Sequence, residues 1–91
     1  MCTWKIVVSA GHRADGWHTL DRDEVFVVLS GTLEVAGDKL EAGDVLVVPA
    51  GERIEVGNPG ETPAEAMVSI PAGFTATMAD GTSIGTPPWA E

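Results

Sequence analysis

Nowhere does the chain repeat apolar residues at i, i+3, i+4 and i+7 over three helical turns; Val and Ile come in short bursts set off by Gly, Pro, Asn and Asp. An amphipathic helix has no place in such a pattern, whereas half-buried strands do. Extended segments are expected over residues 3–8, 16–20, 24–29, 32–36, 39–41, 45–48, 53–56, 64–70 and 74–78. Strands at this spacing mark a β-sandwich or small barrel, and 91 residues suffice for one domain. The fold class is therefore all-β, a small antiparallel barrel or jelly roll over residues 1–78, with an irregular Gly/Pro-rich tail over 79–91. Turn chemistry agrees. Gly37-Asp38 is expected as a two-residue hairpin loop, Val48-Pro49-Ala50-Gly51 as a turn with Pro at a fixed φ, and Asn58-Pro59-Gly60-Glu61 as a type II turn with Gly60 at positive φ.

Charge narrows the partners. Five Lys and Arg against 14 Asp and Glu leave a net charge of −9, which repels nucleic-acid backbones and anionic membrane surfaces. The longest apolar runs, 25–29 and 45–50, fall far short of a membrane span, and the N-terminal apolar stretch is too short for a signal peptide. Cys2 is a single cysteine, so neither an internal disulfide nor a zinc ribbon is available, and a cytoplasmic location is expected. Phosphate loops, Ser-His-Asp sets and supported Cys-His pairs are absent.

Two spaced motifs carry the remaining information. In the segment HTLDRDEVFVVLSG, residues 18–31, His18 stands six positions before Glu24, and six residues separate Glu24 from Gly31. In GDVLVVPAGERIEVGN, residues 43–58, Gly43, Pro49, Gly51 and Asn58 recur at fixed intervals. Together they resemble the cupin family, small β-barrels with the motifs G-x5-H-x-H-x3,4-E-x6-G and G-x5-P-x-G-x2-H-x3-N. Seven of the ten fixed positions are present, and His12 stands at the place of the first Gly, beside Gly11. The resemblance implies that two His and a Glu of the first motif and a His of the second point into the barrel and bind a divalent transition metal. Here Leu20 and Ile54 occupy two of those four positions. Neither has a lone pair, and one His with one carboxylate is too small a ligand set for tight binding. No metal and no other cofactor is expected.

Alternation then gives the lining. If Glu24 points inward, so do Phe26 and Val28; Ile54 shares its face with Val56, and Leu33 and Val35 are expected inward as well. With Leu20 and Met67 these residues are the expected substrate-binding set, and His18 and Glu24 the catalytic pair. A hydrogen bond between Glu24 and His18 would orient the imidazole and lower the cost of burying both. Such a cavity suits a small, largely apolar organic molecule. Proton-transfer chemistry is the expected activity: isomerisation, dehydration, or cyclisation of a polyketide-like chain, the last by analogy with other cupins. Two alternatives stay open. One is a non-catalytic binding or sensing module; the other is a metal enzyme whose ligand set includes His12.

Other residues carry weaker expectations. Trp17, of opposite parity to His18, should face away from the cavity, Trp89 could anchor the tail, and Arg22 and Arg53 should form surface ion pairs. Val25, Val27 and Leu29 form an outward apolar face whose covering by a second copy predicts a homodimer.

Overall fold

A computed structural model describes residues 1–13 and 16–84, with the backbone alone described at Ile84. All its regular elements are strands: β1 Cys2–Val8, β2 His18–Leu20, β3 Glu24–Ser30, β4 Thr32–Val35, β5 Asp38–Glu41, β6 Val45–Val48, β7 Val56–Gly57, β8 Ala64–Ile70, β9 Ala76–Met78 and β10 Ser83–Ile84. Every pairing is antiparallel. They form sheets in the orders β1-β8-β3-β6, β10-β9-β2 and β5-β4-β7. Among the described residues no helix is long and apolar enough to cross a membrane.

Alternation explains the large sheet. In β8 the even positions Ala64, Ala66, Val68 and Ile70 are buried, while the odd positions are half-exposed. β3 follows the same rule, with Glu24, Phe26 and Val28 inward and Val25 and Val27 outward. The inward faces of the sheets meet in one cluster that includes Leu20, Phe26, Val28, Leu33, Val35, Ile54, Val68 and Phe74. Between Val28 and Ser30 the register against β8 shifts, so Leu29 bulges outward. Gly31 follows at φ 75°, and a Cβ there would stand 2.8 Å from the Pro63 carbonyl oxygen. That steric limit accounts for the last glycine of the first motif.

Several boundaries differ from those expected. The β4–β5 hairpin turns on Ala36-Gly37, one residue earlier than predicted, because Val35 pairs with Asp38. Ala36 and Gly37 both have positive φ, 51° and 86°, as a type I′ turn requires. Gly60 is not at positive φ; Asn58 Oδ1 instead accepts the Gly60 amide at 2.9 Å, so a side-chain turn replaces the type II turn. The strand expected over 53–56 reduces to a single bridge between Ile54 and His18, followed by β7. Residues 74–75 lie outside β9, because the Thr75 amide is taken by Asp21 Oδ1 at 2.7 Å and its carbonyl by the Asp21 amide. The tail is not wholly irregular. Ser83–Ile84 pairs with β9, and the turn is fixed by Met78 donating to the Thr82 carbonyl at 2.7 Å and Asp80 Oδ1 accepting the Thr82 amide at 2.9 Å. Trp89 lies outside the described residues.

Candidate functional site

The backbones of His18 and Ile54 exchange both hydrogen bonds, His18 N to Ile54 O at 3.0 Å and Ile54 N to His18 O at 2.7 Å. This bridge sets the first-motif His beside the residue that replaces the second-motif His. Ile54 is sealed in the core at 1% exposure, while His18 is half-buried and opens onto a cleft of about 440 Å³. His12, Trp17, Ile54, Val56, Met78 and Asp80 share its walls. β9 supplies Met78 as the cross-strand partner of His18.

Burial dominates the electrostatics. It lowers the His18 pKa below its usual 6.5 and pushes Glu24 up to about 7. A His–Glu ion pair would move both groups the opposite way. Accordingly, no hydrogen bond joins Glu24 to His18 among the described residues, and Glu24 Oε1 is buried without a partner. The expected catalytic pair is thus not assembled. At neutral pH His18 is an imidazole able to accept a proton, and Glu24, 6% exposed, is a core acid that does not line the His18 cleft. Across the cleft, the Thr82 backbone amide holds the Asp80 carboxyl below the usual carboxylate range.

The expected lining is only partly assembled. Ile54 and Val56 line the His18 cleft, and Leu20, though 6% exposed, edges a separate one lined also by Asp21, Gly51 and Thr75. Phe26, Val28, Leu33 and Val35 are at most 2% exposed and fill the interior themselves, lining neither cleft. The barrel centre is therefore packed by its own side chains. Met67 does not line the interior: between inward Ala66 and Val68, it lies on the outer face of the large sheet, opposite Lys5 and Val27. The parity of those neighbours would have revealed this. Met78 takes the lining role instead.

Trp17 also departs from expectation. It stands before β2, outside the ladder, and reaches the cleft wall; the Arg53 guanidinium lies over its ring, 4.4 Å from the centroid. Arg53 makes this cation–π contact and no ion pair among the described residues, while Arg22 pairs with Asp21 at 3.4 Å. A more polar cleft of about 520 Å³ is lined by His12, Arg13, Glu34, Glu55 and Asn58, but its titratable side chains are exposed. The His18 cleft has the half-buried base, and for that reason it is the candidate site.

A family model for the cupin domain matches residues 4–70. The chain belongs to the cupin family. This cupin is similar to a sugar phosphate isomerase of the cupin superfamily from Silicibacter pomeroyi DSS-3, at TM-score 0.73 and 19% identity over 97% of this chain and 62% of that one. A Cupin 2 conserved barrel domain protein from Salinispora arenicola CNS-205 matches at TM-score 0.56 and 26% identity, over 72% of this chain and 58% of that one. The DMSP lyase DddQ from Ruegeria pomeroyi DSS-3 matches at TM-score 0.62 and 19% identity, over 98% of this chain and 44% of that one. The cupin spans less than two thirds of the length of each. No curated protein matches it.

The metal implied by the family does not fit this donor set. Leu20 and Ile54 are buried hydrocarbon at two of the four ligand positions. Among the described residues no group of three or more His, Cys, Asp and Glu side chains could hold an ion, so His12 does not complete a site with His18.

Proposed function

We propose that this cupin binds a small, largely apolar organic molecule in the His18 cleft and moves a proton on it without a metal. The observation that carries this reading is a half-buried imidazole, kept neutral by burial, on a wall shared with Ile54, Val56 and Met78. A neutral imidazole accepts a proton from a carbon or oxygen acid and returns it elsewhere, the common element of isomerisation, dehydration and cyclisation, including cyclisation of a polyketide-like chain. Solved proteins of this fold include a sugar phosphate isomerase and a DMSP lyase, so the scaffold is compatible with such chemistry. Glu24, which makes no bond to His18, is assigned no part in the proton transfer. A second reading, a binding or sensing module, is favoured by the cleft's single half-buried base without a bonded acid. The proposal also includes a cytoplasmic location, in keeping with the single cysteine, and pairing of two copies into a homodimer.

The test screens small ketones, lactones and aromatic acids for stabilisation of the protein, then follows each binder for chemical change by mass spectrometry. Catalysis predicts conversion that His18→Ala abolishes with the fold intact. Binding alone predicts an unchanged ligand and a lowered affinity. Stabilisation and conversion undiminished in His18→Ala would remove His18 from the function. The proton resonances of the ring, followed against pH, should place the His18 midpoint below 6.5, as burial requires. A midpoint above that value would mean the imidazole is paired with a carboxylate after all.

A further inference from the structure

Five cationic side chains share this chain with 14 acids, and Arg53 is placed differently from the rest. Lys5 lies 3.7 Å from Glu65, and Arg22 lies 3.4 Å from Asp21. Lys39 stands opposite Glu34 in the β4–β5 register, and Arg13 shares a cleft with Glu34 and Glu55. Arg53 has Glu52 and Glu55 close by in sequence, yet among the described residues it pairs with neither. Its guanidinium lies instead on the face of Trp17.

That contact ties Arg53 to the His18 cleft. Trp17 and Ile54 both line the cleft; the guanidinium stacks on the first, and Arg53 directly precedes the second. Stacking occupies one face of the guanidinium and restricts its rotamers, while the N–H groups around its edge stay open. Those donors form a planar fork, the shape that takes both oxygens of a carboxylate at once. Hydrocarbon is accommodated by Ile54, Val56 and Met78 on the walls shared with His18. Charge then selects among anions. One guanidinium balances the single charge of a carboxylate, whereas a phosphate monoester carries about −1.5 to −2. Asp80, also on the cleft wall with its Oδ1 taken by the Thr82 amide at 2.9 Å, adds to the excess rather than offsetting it.

We infer that the substrate of the His18 cleft is a small carboxylic acid, its carboxylate held by the Arg53 fork and its hydrocarbon body laid along Ile54, Val56 and Met78. This inference rests on the proposed function and narrows its substrate class. Arg53 sets specificity, and His18 moves the proton.

The test measures binding of benzoate, phenylacetate and cinnamate, and of their primary amides, to the full chain by calorimetry, with the His18 ring resonances reporting occupancy of the cleft. The acids should bind at least tenfold more tightly than the amides, by a margin that shrinks as salt is added. Arg53→Gln should remove that preference and leave the amides unchanged. Arg53→Lys, which keeps the charge and loses the fork, should restore only part of it. Arg22→Gln, outside the cleft lining, should bind as the unmodified protein does. An equal loss for acids and amides in Arg53→Gln would reduce Arg53 to a prop for Trp17 and overturn the inference. Acids and amides that bind equally, with the ring resonances moving, would overturn the inference and leave the proposed function standing. Tighter binding of phenyl phosphate than of benzoate would overturn the carboxylate as the recognised group. Ring resonances unmoved by either series would overturn the inference and the proposed function together.

Discussion

Glu24→Gln is expected to abolish a pH-dependent loss of stability that the unmodified protein shows between about pH 4.5 and 7. The folded chain keeps the Glu24 carboxyl up to about 7, against an ordinary 4.5, because burial disfavours the charge. Below pH 4.5 the group is protonated in both folded and unfolded chains and contributes no pH dependence. As pH rises from 4.5 the unfolded chain releases this proton while the folded chain retains it, so stability falls. Above pH 7 the folded chain releases it too, and the loss is complete. The interval from 4.5 to 7 is 2.5 pH units, which at 1.36 kcal/mol per unit is about 3 kcal/mol. Gln has the shape and neutrality of the protonated acid, so the variant should match the unmodified protein near pH 4 and exceed it by about 3 kcal/mol at pH 8. Urea unfolding at several pH values reads the difference directly. Parallel curves for the two proteins would show that the carboxyl is solvated or paired, contrary to its buried and unpartnered Oε1.

Asn58→Ala should be the most damaging polar substitution. Its side chain is 1% exposed and makes three hydrogen bonds: Nδ2 donates to the Val8 carbonyl at 3.0 Å and to the Thr62 carbonyl at 2.8 Å, and Oδ1 accepts the Gly60 amide at 2.9 Å. One amide thus joins the end of β1 to the turn leading into β8, and its own backbone amide donates to the His12 carbonyl at 2.9 Å. Truncation leaves two acceptors and a donor without this partner, around a side chain that is itself buried. Losing about 1 kcal/mol for each bond, with a further penalty for stranded groups, gives about 3–4 kcal/mol. For a domain of this size that lowers the melting temperature by roughly 15 °C or more. Asn58→Asp keeps the volume and the acceptor but loses both donors, and should be no better. A loss under about 1 kcal/mol would mean that water replaces the amide.

Strands were legible wherever one face is buried over several residues. The seven-residue β8 alternates without interruption, and its limits coincide with the expected 64–70. β7 and β10, two residues each, are too short for alternation to register, and pairing partners decide them. The Ala36 turn was misplaced because positive φ is rare for Ala and sequence favours Gly there; the β4–β5 register enforces it. At the site, the motif positions of His18 and Glu24 were plain, but their separation was not. Sequence spacing fixes where two residues lie on their strands and leaves open whether the side chains meet. Both were expected to satisfy each other; each instead meets burial alone, and that reverses the direction of both pKa shifts. Trp17, Met78 and Asp80 join the cleft from separate elements, an adjacency set by the β2–β9 pairing and the turn beyond it.

Hydrocarbon at Leu20 and Ile54 is what separates this chain from the metal-binding pattern of its family. Elemental analysis of the freshly purified protein, after exposure to manganese, iron, cobalt, nickel, copper and zinc and removal of unbound ions, tests that claim most directly. Far less than one equivalent of any of them should remain. Close to one equivalent, lost on His18→Ala or Glu24→Gln, would contradict the account.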